Sequence, residues 1–324
     1  MVKAIRVHTY GGPEKLILED VTIAPPGKGE VRVGHKAIGL NFIDVYFRTG
    51  AYPSASLPFV PGNEGAGVVL SVGEGVTAFR KGDRVAYVAS PGSYAQERNV
   101  PGHFLVKLPK EISFETAAGM MLKGMTAEYL LFRVFKVKKG STILVHAAAG
   151  GVGLLLCQWG KALGATVIGT VGSAEKAKIA KKHGCTHTIL YREENFAERV
   201  KEITGGKLCD VVYDGIGAAT FPASLDCLKT FGTFVSFGAA SGSIPAFDIG
   251  LLGKKGSLVA TRPTLFSFLA DRKILESMSK RLFKAVIDKT IKIPITAKYP
   301  LAEAAAAHRA LEGRETTGSI VFVP

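Results

Sequence analysis

The stretch Thr142-Ile143-Leu144-Val145-His146-Ala147-Ala148-Ala149-Gly150-Gly151-Val152-Gly153 decides the fold. Its first residues are apolar or β-branched and fit a buried strand. Small residues follow, and then a helical run is expected from Leu154 to Leu163, stopped by Gly164. A turn built of Ala and Gly lets the backbone approach a pyrophosphate, because no side chain blocks it. The helix N-terminus then offers free N–H donors and a positive dipole end. Gly153 lets helix and strand pack closely. The G-x-G-x-x-G fingerprint is incomplete: Ala148 stands in its first place, and Gly150 and Gly153 fill the other two. Alone the match is weak, and a glycine-rich turn without a ligand would explain it. The surrounding pattern decides for a nicotinamide dinucleotide.

Outward from this stretch, strand-like runs at Thr142–His146, Ala165–Thr170, Thr186–Leu190, Asp210–Tyr213, Gly232–Phe237 and Ser257–Thr261 alternate with helical ones. Several of those helices stop at a glycine such as Gly164 or Gly184, and Asn195-x-x-Glu198 has capping-box spacing. Alternating β and α units imply a doubly wound parallel sheet. A helix is expected from Phe268 to Ile287, with Leu275, Met278, Leu282 and Val286 on one face. A further helix near Leu301–Glu312 ends at Gly313. The last strand, Ser319–Val323, is expected to return to the first domain, since the parallel sheet is already complete.

Residues 1–122 read differently. Val31-Arg32-Val33 and Val85-Ala86-Tyr87-Val88 alternate between turns such as Pro61-Gly62 and Lys81-Gly82-Asp83. Glycine is frequent, 38 of 324 residues, against roughly 7% in average proteins. Both features fit an irregular antiparallel β-barrel. The chain is therefore expected to be α/β, with one domain of residues 1–122 and 265–324 and a dinucleotide domain of residues 123–264.

The cofactor is expected to be NADPH. NAD sites usually carry an acid at the end of the second strand, and Ile168-Gly169-Thr170-Val171-Gly172-Ser173 has none. Lys176 follows and Tyr191 closes the third strand, a pairing that suits a 2′-phosphate. The plainer alternative is that Lys176 only solvates a helix face.

Composition excludes several classes. No apolar run approaches the roughly 18 residues of a membrane span. The N-terminus has no signal core. Cys157, Cys185, Cys209 and Cys227 are scattered, so a disulfide framework is not expected and the cytoplasm is the default compartment. No Ser/His/Asp set or carboxylate pair points to hydrolysis, and His146 reads as structural. The net charge is +14, and residues 254–298 hold 11 Lys/Arg against 3 Asp/Glu. A basic surface attracts anionic partners, a phosphate-bearing cofactor or RNA. An ordinary solvated surface explains it equally simply, so nucleic acid is possible but not favoured.

Several motifs together resemble the medium-chain dehydrogenase/reductase superfamily, and within it the zinc-free quinone oxidoreductases that include zeta-crystallin. They are Gly39-Leu40-Asn41-Phe42-Ile43-Asp44, Pro61-Gly62-Asn63-Glu64-Gly65-Ala66-Gly67, Gly82-Asp83-Arg84-Val85, His146 to Gly153, Val235-Ser236-Phe237-Gly238, Tyr299-Pro300-Leu301 and Gly318-Ser319. The resemblance spans essentially the whole chain. It implies a GroES-like irregular β-barrel catalytic domain beside a Rossmann domain, with the active site in the cleft. It implies NADPH as hydride donor, and quinones or activated α,β-unsaturated carbonyls as acceptors. An enone or enoyl reductase using quinones incidentally, or a secondary RNA-binding role, are the alternatives. By position, Asn41 and Tyr46 would lie near the nicotinamide with Thr126 beside it, and Tyr52 would stand at the cleft rim. Gly150, Gly151 and Val152 would hold the pyrophosphate. Gly172, Ser173, Lys176 and Tyr191 would surround the adenosine phosphate. Phe237, Gly238, Arg262 and Arg314 would line the remaining cofactor path. Zinc relatives carry a Cys and a His-Glu pair where this chain has Asn41 and Asn63-Glu64, so no metal is expected and Glu64 reads as a hydrogen-bonding residue. The family also implies a homodimer formed through the edge strand Ser257–Thr261.

Overall fold

Thr142–Val145 forms the strand expected of it, and its neighbours place it at the turning point of a parallel sheet. In this computed structural model, which describes residues 1–313 and 315–324, the chain divides into two units. One comprises Met1–Met125, Phe268–Ile287 and Ile293–Pro324, the other Thr126–Ser267 and Asp288–Lys292.

In the second unit the strand order is His187–Leu190, Thr166–Val171, Thr142–Val145, Cys209–Asp214, Leu228–Ser236, Val259–Thr261, every pair parallel. Numbered along the chain, this is third, second, first, fourth, fifth, sixth. The order reverses between Thr142–Val145 and Cys209–Asp214, the switch point beyond which ligands bind in such sheets. Leu144, Ile168, Ile189, Val212 and Phe234 pack into one buried cluster with Val200 and Leu225 from the covering elements. Burial on both faces explains why these strands are apolar runs and not alternating ones. Leu228–Ser236 starts four residues before the expected Gly232. Its extension pairs Leu228 with Cys209 across a register shift, and Phe231 takes a left-handed backbone with φ of 63°.

The helix after the Gly-rich turn runs Gly151–Ala162, so it begins three residues before the expected Leu154. Gly150 is its N-cap, with extended backbone at φ −79° and ψ 174°. The free N–H groups of the first turn therefore belong to the glycine-rich residues themselves. The helix expected from Phe268 to Ile287 is two helices, Leu265–Leu269 and Arg272–Ile287. Asp271 restarts it, its Oδ1 accepting from the Lys273 and Ile274 backbone N–H groups at 2.7 and 3.2 Å. Leu275, Met278 and Leu282 are buried, and Val286 is half-buried.

In the first unit, Glu30–Leu40 is the central strand. It pairs antiparallel with Glu64–Val72, Glu97–Pro101 and Ser319–Val323. The final strand thus returns to the first domain, with Ile320 opposite Leu40. Ile295–Pro300 joins beyond it as a parallel neighbour. One core gathers Val31, Val33, Val69, Val85 and Leu105; another gathers Ile38, Leu40, Tyr94, Ala304 and Phe322. No helix among the described residues is long and apolar enough to cross a membrane.

Candidate active site

Asn41 sits where the central strand Glu30–Leu40 ends and the helix Phe42–Thr49 begins, as that helix's N-cap. Its backbone N–H donates to Asp44 Oδ2 at 2.8 Å. Its side-chain Nδ2 donates to Glu64 Oε1 at 2.6 Å. Glu64 Oε2 accepts from the Leu122 backbone N–H at 2.6 Å. Lys123 Nζ donates to the Leu40 carbonyl at 3.0 Å and stands 3.5 Å from Glu64 Oε1. All three side chains are buried: Asn41 is 4% exposed, Glu64 0% and Lys123 7%. Burial raises the Glu64 pKa, and Lys123, the Leu122 N–H and Asn41 oppose that rise. Burial likewise lifts Asp44 to about 7 against the hydrogen bonds it accepts from Asn41 and Tyr94.

The same helix presents Tyr46, whose ring lies 5.4 Å from Phe42 and 5.1 Å from Tyr52. The Tyr52 backbone N–H donates to the Tyr46 carbonyl at 3.0 Å, closing the turn that brings the two rings together. Asn41, Tyr46 and Tyr52 therefore share one helix and its exit. On the other side of this helix a donor chain runs inward. Arg48 Nη1 lies 3.3 Å from His308 Nδ1, His308 Nε2 lies 3.0 Å from Tyr94 Oη, and the Tyr94 hydroxyl donates to Asp44 Oδ2 at 3.0 Å. Arg48 donates only, so His308 Nδ1 accepts and Nε2 carries the proton.

The donor set does not fit a catalytic zinc. Asn41 and Asn63 offer amides, and the Asn63 Nδ2 donates to the Ala89 carbonyl at 3.0 Å. Among the described residues no three His, Cys, Asp or Glu side chains gather as a metal site.

Most of the other expected site residues lie in the second unit, near the carboxyl ends of its parallel strands. Gly150, Gly151 and Val152 follow Thr142–Val145. A Cβ on Gly153 would fall 2.3 Å from the Ala147 carbonyl oxygen, so only glycine permits this turn. Ala147 itself holds a left-handed φ of 52°, a conformation unfavourable for an L-residue and often retained at functional turns. Gly172 follows Thr166–Val171. A Cβ there would lie 3.0 Å from Tyr191 Oη and 3.6 Å from Arg192 Nε, so Gly172, Tyr191 and Arg192 frame one small corner. Ser173 caps the helix Ala174–Lys182, its Oγ accepting from the Lys176 backbone N–H at 3.3 Å. Arg192 was not singled out in the sequence, although its place beside Tyr191 was available as a signal. Glu175 was passed over too. It is an exposed acid in the first turn, held below the usual carboxylate range by its own backbone N–H and the Ser173 hydroxyl.

Phe237 and Gly238 follow Leu228–Ser236, and the Phe237 ring lies 3.0 Å from the position of a Gly215 Cβ. Arg262 Nη1 donates to the Ser236 carbonyl at 3.0 Å. Thr126 is buried on the helix Phe114–Tyr129. Arg314 lies outside the described residues.

His146 forms a buried chain with Ser224 and Asp214. Its Nδ1 lies 3.0 Å from Thr170 Oγ1, its Nε2 lies 3.0 Å from Ser224 Oγ, and Ser224 Oγ lies 3.3 Å from Asp214 Oδ2. The serine stands between histidine and carboxylate and is fully buried, the wrong order for a nucleophile. The cluster ties strand ends together.

A Rossmann sheet and an antiparallel GroES-like β-domain in one chain define a medium-chain dehydrogenase/reductase. The chain matches the alcohol dehydrogenase GroES-like domain over residues 27–139 and the zinc-binding dehydrogenase domain over residues 151–276. It is 51% identical over 325 residues to a quinone oxidoreductase of Pseudomonas aeruginosa, covering 100% of both chains. It is 47% identical to a 2-haloacrylate reductase of a Burkholderia species, covering 100% of this chain and 99% of the other. The crystal structure of Escherichia coli quinone oxidoreductase complexed with NADPH superposes with a TM-score of 0.98 at 47% identity, over 99% of this chain and 100% of that one. The chain belongs to the quinone oxidoreductase family of the medium-chain dehydrogenase/reductase superfamily.

Proposed function

We propose that the chain is an NADPH-dependent quinone oxidoreductase that reduces quinones or activated α,β-unsaturated carbonyls without a metal. The observation that carries this is the corner formed by Gly172, Ser173, Tyr191 and Arg192 at the carboxyl ends of the parallel sheet, next to the Gly150–Gly153 turn. It presents hydroxyls and a cation, with Lys176 on the adjoining helix, and suits a 2′-phosphate. Relatives of full length carry the quinone oxidoreductase name, and one of that name was crystallised with NADPH.

When bound, NADPH supplies the hydride. The residues of this chain do the holding. The free N–H groups of Gly151, Val152 and Gly153 face the pyrophosphate with the positive end of their helix. Ser173, Lys176, Tyr191 and Arg192 take the 2′-phosphate. Asn41, Tyr46 and Tyr52 orient nicotinamide and acceptor, and proximity supplies most of the rate. The proton for a reduced quinone comes from solvent.

An NADPH-oxidation screen over quinones, enones, aldehydes and primary alcohols tests the proposal. Quinones or enones should be reduced with full activity after chelator treatment. Oxidation of ethanol faster than reduction of any quinone or enone would overturn it. The similarity to a 2-haloacrylate reductase favours a second reading, enone reduction as the main activity, and the same screen ranks the two. Two copies of the chain pair through the open edge at Val259–Thr261, where Val259 is exposed. A solution mass near 34.3 kDa would contradict that. The enzyme works in the cytoplasm. Its basic segment is solvated surface, and an RNA affinity falling steeply with salt would reverse that assignment.

A further inference from the structure

Ala147 opens the Gly-rich turn with a left-handed φ of 52°, although it is not glycine. A residue keeps that conformation only where its surroundings over-determine it. Thr170, near the end of the strand Thr166–Val171, grips the chain on both sides of Ala147. Its carbonyl accepts from the Ala148 backbone N–H at 3.0 Å, and its Oγ1 lies 3.0 Å from His146 Nδ1. His146 is held on its other side too. Its Nε2 lies 3.0 Å from Ser224 Oγ, and its backbone N–H donates to the Tyr213 carbonyl at 3.1 Å. All of these residues belong to the second unit.

The chain of side chains has one direction. Ser224 Oγ faces two acceptors, the Thr220 carbonyl at 3.0 Å and Asp214 Oδ2 at 3.3 Å, so its single proton points to them. His146 Nε2 must then carry a proton and donate to Ser224, and Nδ1 accepts from the Thr170 hydroxyl. Asp214 ends the chain, its oxygens also accepting from Ile216, Gly217 and Thr220. Burial keeps the imidazole neutral against the pull of Asp214.

We propose that His146, with Thr170 and Ser224 behind it, is a positioning residue that holds Ala147 left-handed and so keeps the Gly150–Gly153 turn in the shape that receives the pyrophosphate. This rests on the cofactor assignment made under Proposed function. His146 touches no part of the cofactor in this role. It fixes the residue before Ala147 while the Thr170 carbonyl fixes the residue after it. A turn released on one side spends less time in the competent shape, and affinity falls by that fraction.

The test compares two fragments by calorimetry, independent of turnover. 2′-Phospho-ADP-ribose carries the pyrophosphate, whereas adenosine 2′-monophosphate reaches only the corner of Gly172, Ser173, Tyr191 and Arg192. His146→Phe keeps a packed ring and removes both hydrogen bonds. It should weaken 2′-phospho-ADP-ribose about 5- to 50-fold and leave adenosine 2′-monophosphate unchanged. Thr170→Val, nearly isosteric, should do the same, while Thr170→Ser keeps the hydroxyl and should bind both fragments as wild type does. Ser224→Ala should give a smaller loss in the same direction. Unchanged binding of 2′-phospho-ADP-ribose in both His146→Phe and Thr170→Val overturns the proposal. Equal weakening of the two fragments also overturns it, because the cluster would then only hold the sheet together. Failure of wild type to bind either fragment overturns the cofactor assignment itself.

Discussion

Arg48 and Glu312 stand 264 positions apart and share two hydrogen bonds, Nη1 to Oε2 at 2.8 Å and Nη2 to Oε1 at 2.7 Å. The guanidinium is 1% exposed, while the carboxylate is partly open to solvent. This pair ties the helix carrying Tyr46 to the C-terminal helix Ala304–Glu312. Among the described residues, Glu312→Ala leaves the buried guanidinium with only the Gly11 carbonyl and His308 as hydrogen-bond partners. Breaking a buried pair costs about 3–5 kcal/mol, and the partial exposure of Glu312 lowers the expectation to roughly 2–3 kcal/mol. Chemical denaturation measures it. The double replacement Arg48→Met, Glu312→Leu should recover most of the loss, and a single Glu312→Ala variant as stable as wild type would show that the clamp contributes nothing.

Stability should depend on pH through groups of opposite sign. Burial depresses His35 to about 4 and His308 to about 3, from an ordinary value of 6.5, and lowers His146 as well. The unfolded chain protonates these histidines first. Their contribution is therefore complete above pH 6.5 and is lost as pH falls toward 4 and 3. Asp44 runs the other way. Its native value of about 7, against 3.8 unfolded, favours folding below pH 3.8 and loses that effect as pH rises to 7. Asp44→Asn removes only this opposing contribution. Between pH 5 and 7.5 the variant should gain stability relative to wild type, on the order of 1–3 kcal/mol at about 1.4 kcal/mol per pKa unit. Denaturant midpoints for the two proteins at both pH values decide the matter, and parallel pH curves would refute the assignment.

Gly150 and Gly153 should fail differently when replaced by alanine. A Cβ on Gly153 meets the Ala147 carbonyl oxygen at 2.3 Å and Ala148 Cα at 2.8 Å, all backbone. Gly153→Ala must therefore displace the turn and should lower the unfolding temperature. A Cβ on Gly150 meets only the Ala147 carbonyl oxygen, at 3.2 Å. Gly150→Ala should fold nearly as well as wild type but bind NADPH more weakly, because the methyl group occupies the approach of the pyrophosphate. Thermal unfolding should therefore separate the two variants, with Gly153→Ala well below Gly150→Ala, and cofactor titration on Gly150→Ala should show weakened binding without a matching loss of stability.

Much of this was legible in the sequence because it is local. The Gly-rich turn, the strand before it and the alternation of strands and helices all depend on neighbouring residues, and they appear as expected. The helix start was read three residues late because glycines at 151 and 153 look like poor helix formers, although the first turn needs them for close approach. Asp271 was read through because the apolar spacing continues across it, and only its capping bonds show the break. Asn41, Tyr46 and Tyr52 were found through family resemblance. Of their supports, Glu64 was expected as a hydrogen-bonding residue and accepts from Asn41 and Leu122, whereas Lys123, Tyr94 and His308 reach this helix from distant segments and carry no local pattern. Arg192 and Glu175 carry no strand-end or glycine pattern of their own, and only the folded corner brings them beside Gly172 and Ser173.

The last expectation concerns cofactor choice. NADPH should be preferred over NADH, with Lys176 and Arg192 carrying the preference. No acid occupies the run Ile168–Ser173, so nothing at the strand end pairs with a ribose 2′-hydroxyl or repels a phosphate there. Ser173 caps the next helix, whose N-terminal dipole favours an anion. Glu175 works against this, but its carboxylate is turned to its own backbone N–H and Ser173. A hydrogen bond to a charged group contributes roughly 1.5–3 kcal/mol. At about 1.4 kcal/mol per tenfold, Lys176→Ala should weaken NADPH roughly 10- to 100-fold. Arg192→Ala should act in the same direction. Tyr191→Phe should have a smaller effect, since it removes a neutral donor. NADH affinity should barely change in any of them, because NADH has no phosphate to lose. The measurement is the affinity of both cofactors for wild type and the three variants. If Lys176→Ala and Arg192→Ala weaken NADPH and NADH equally, these cations do not read the phosphate. A wild-type preference for NADH would remove the cofactor assignment itself.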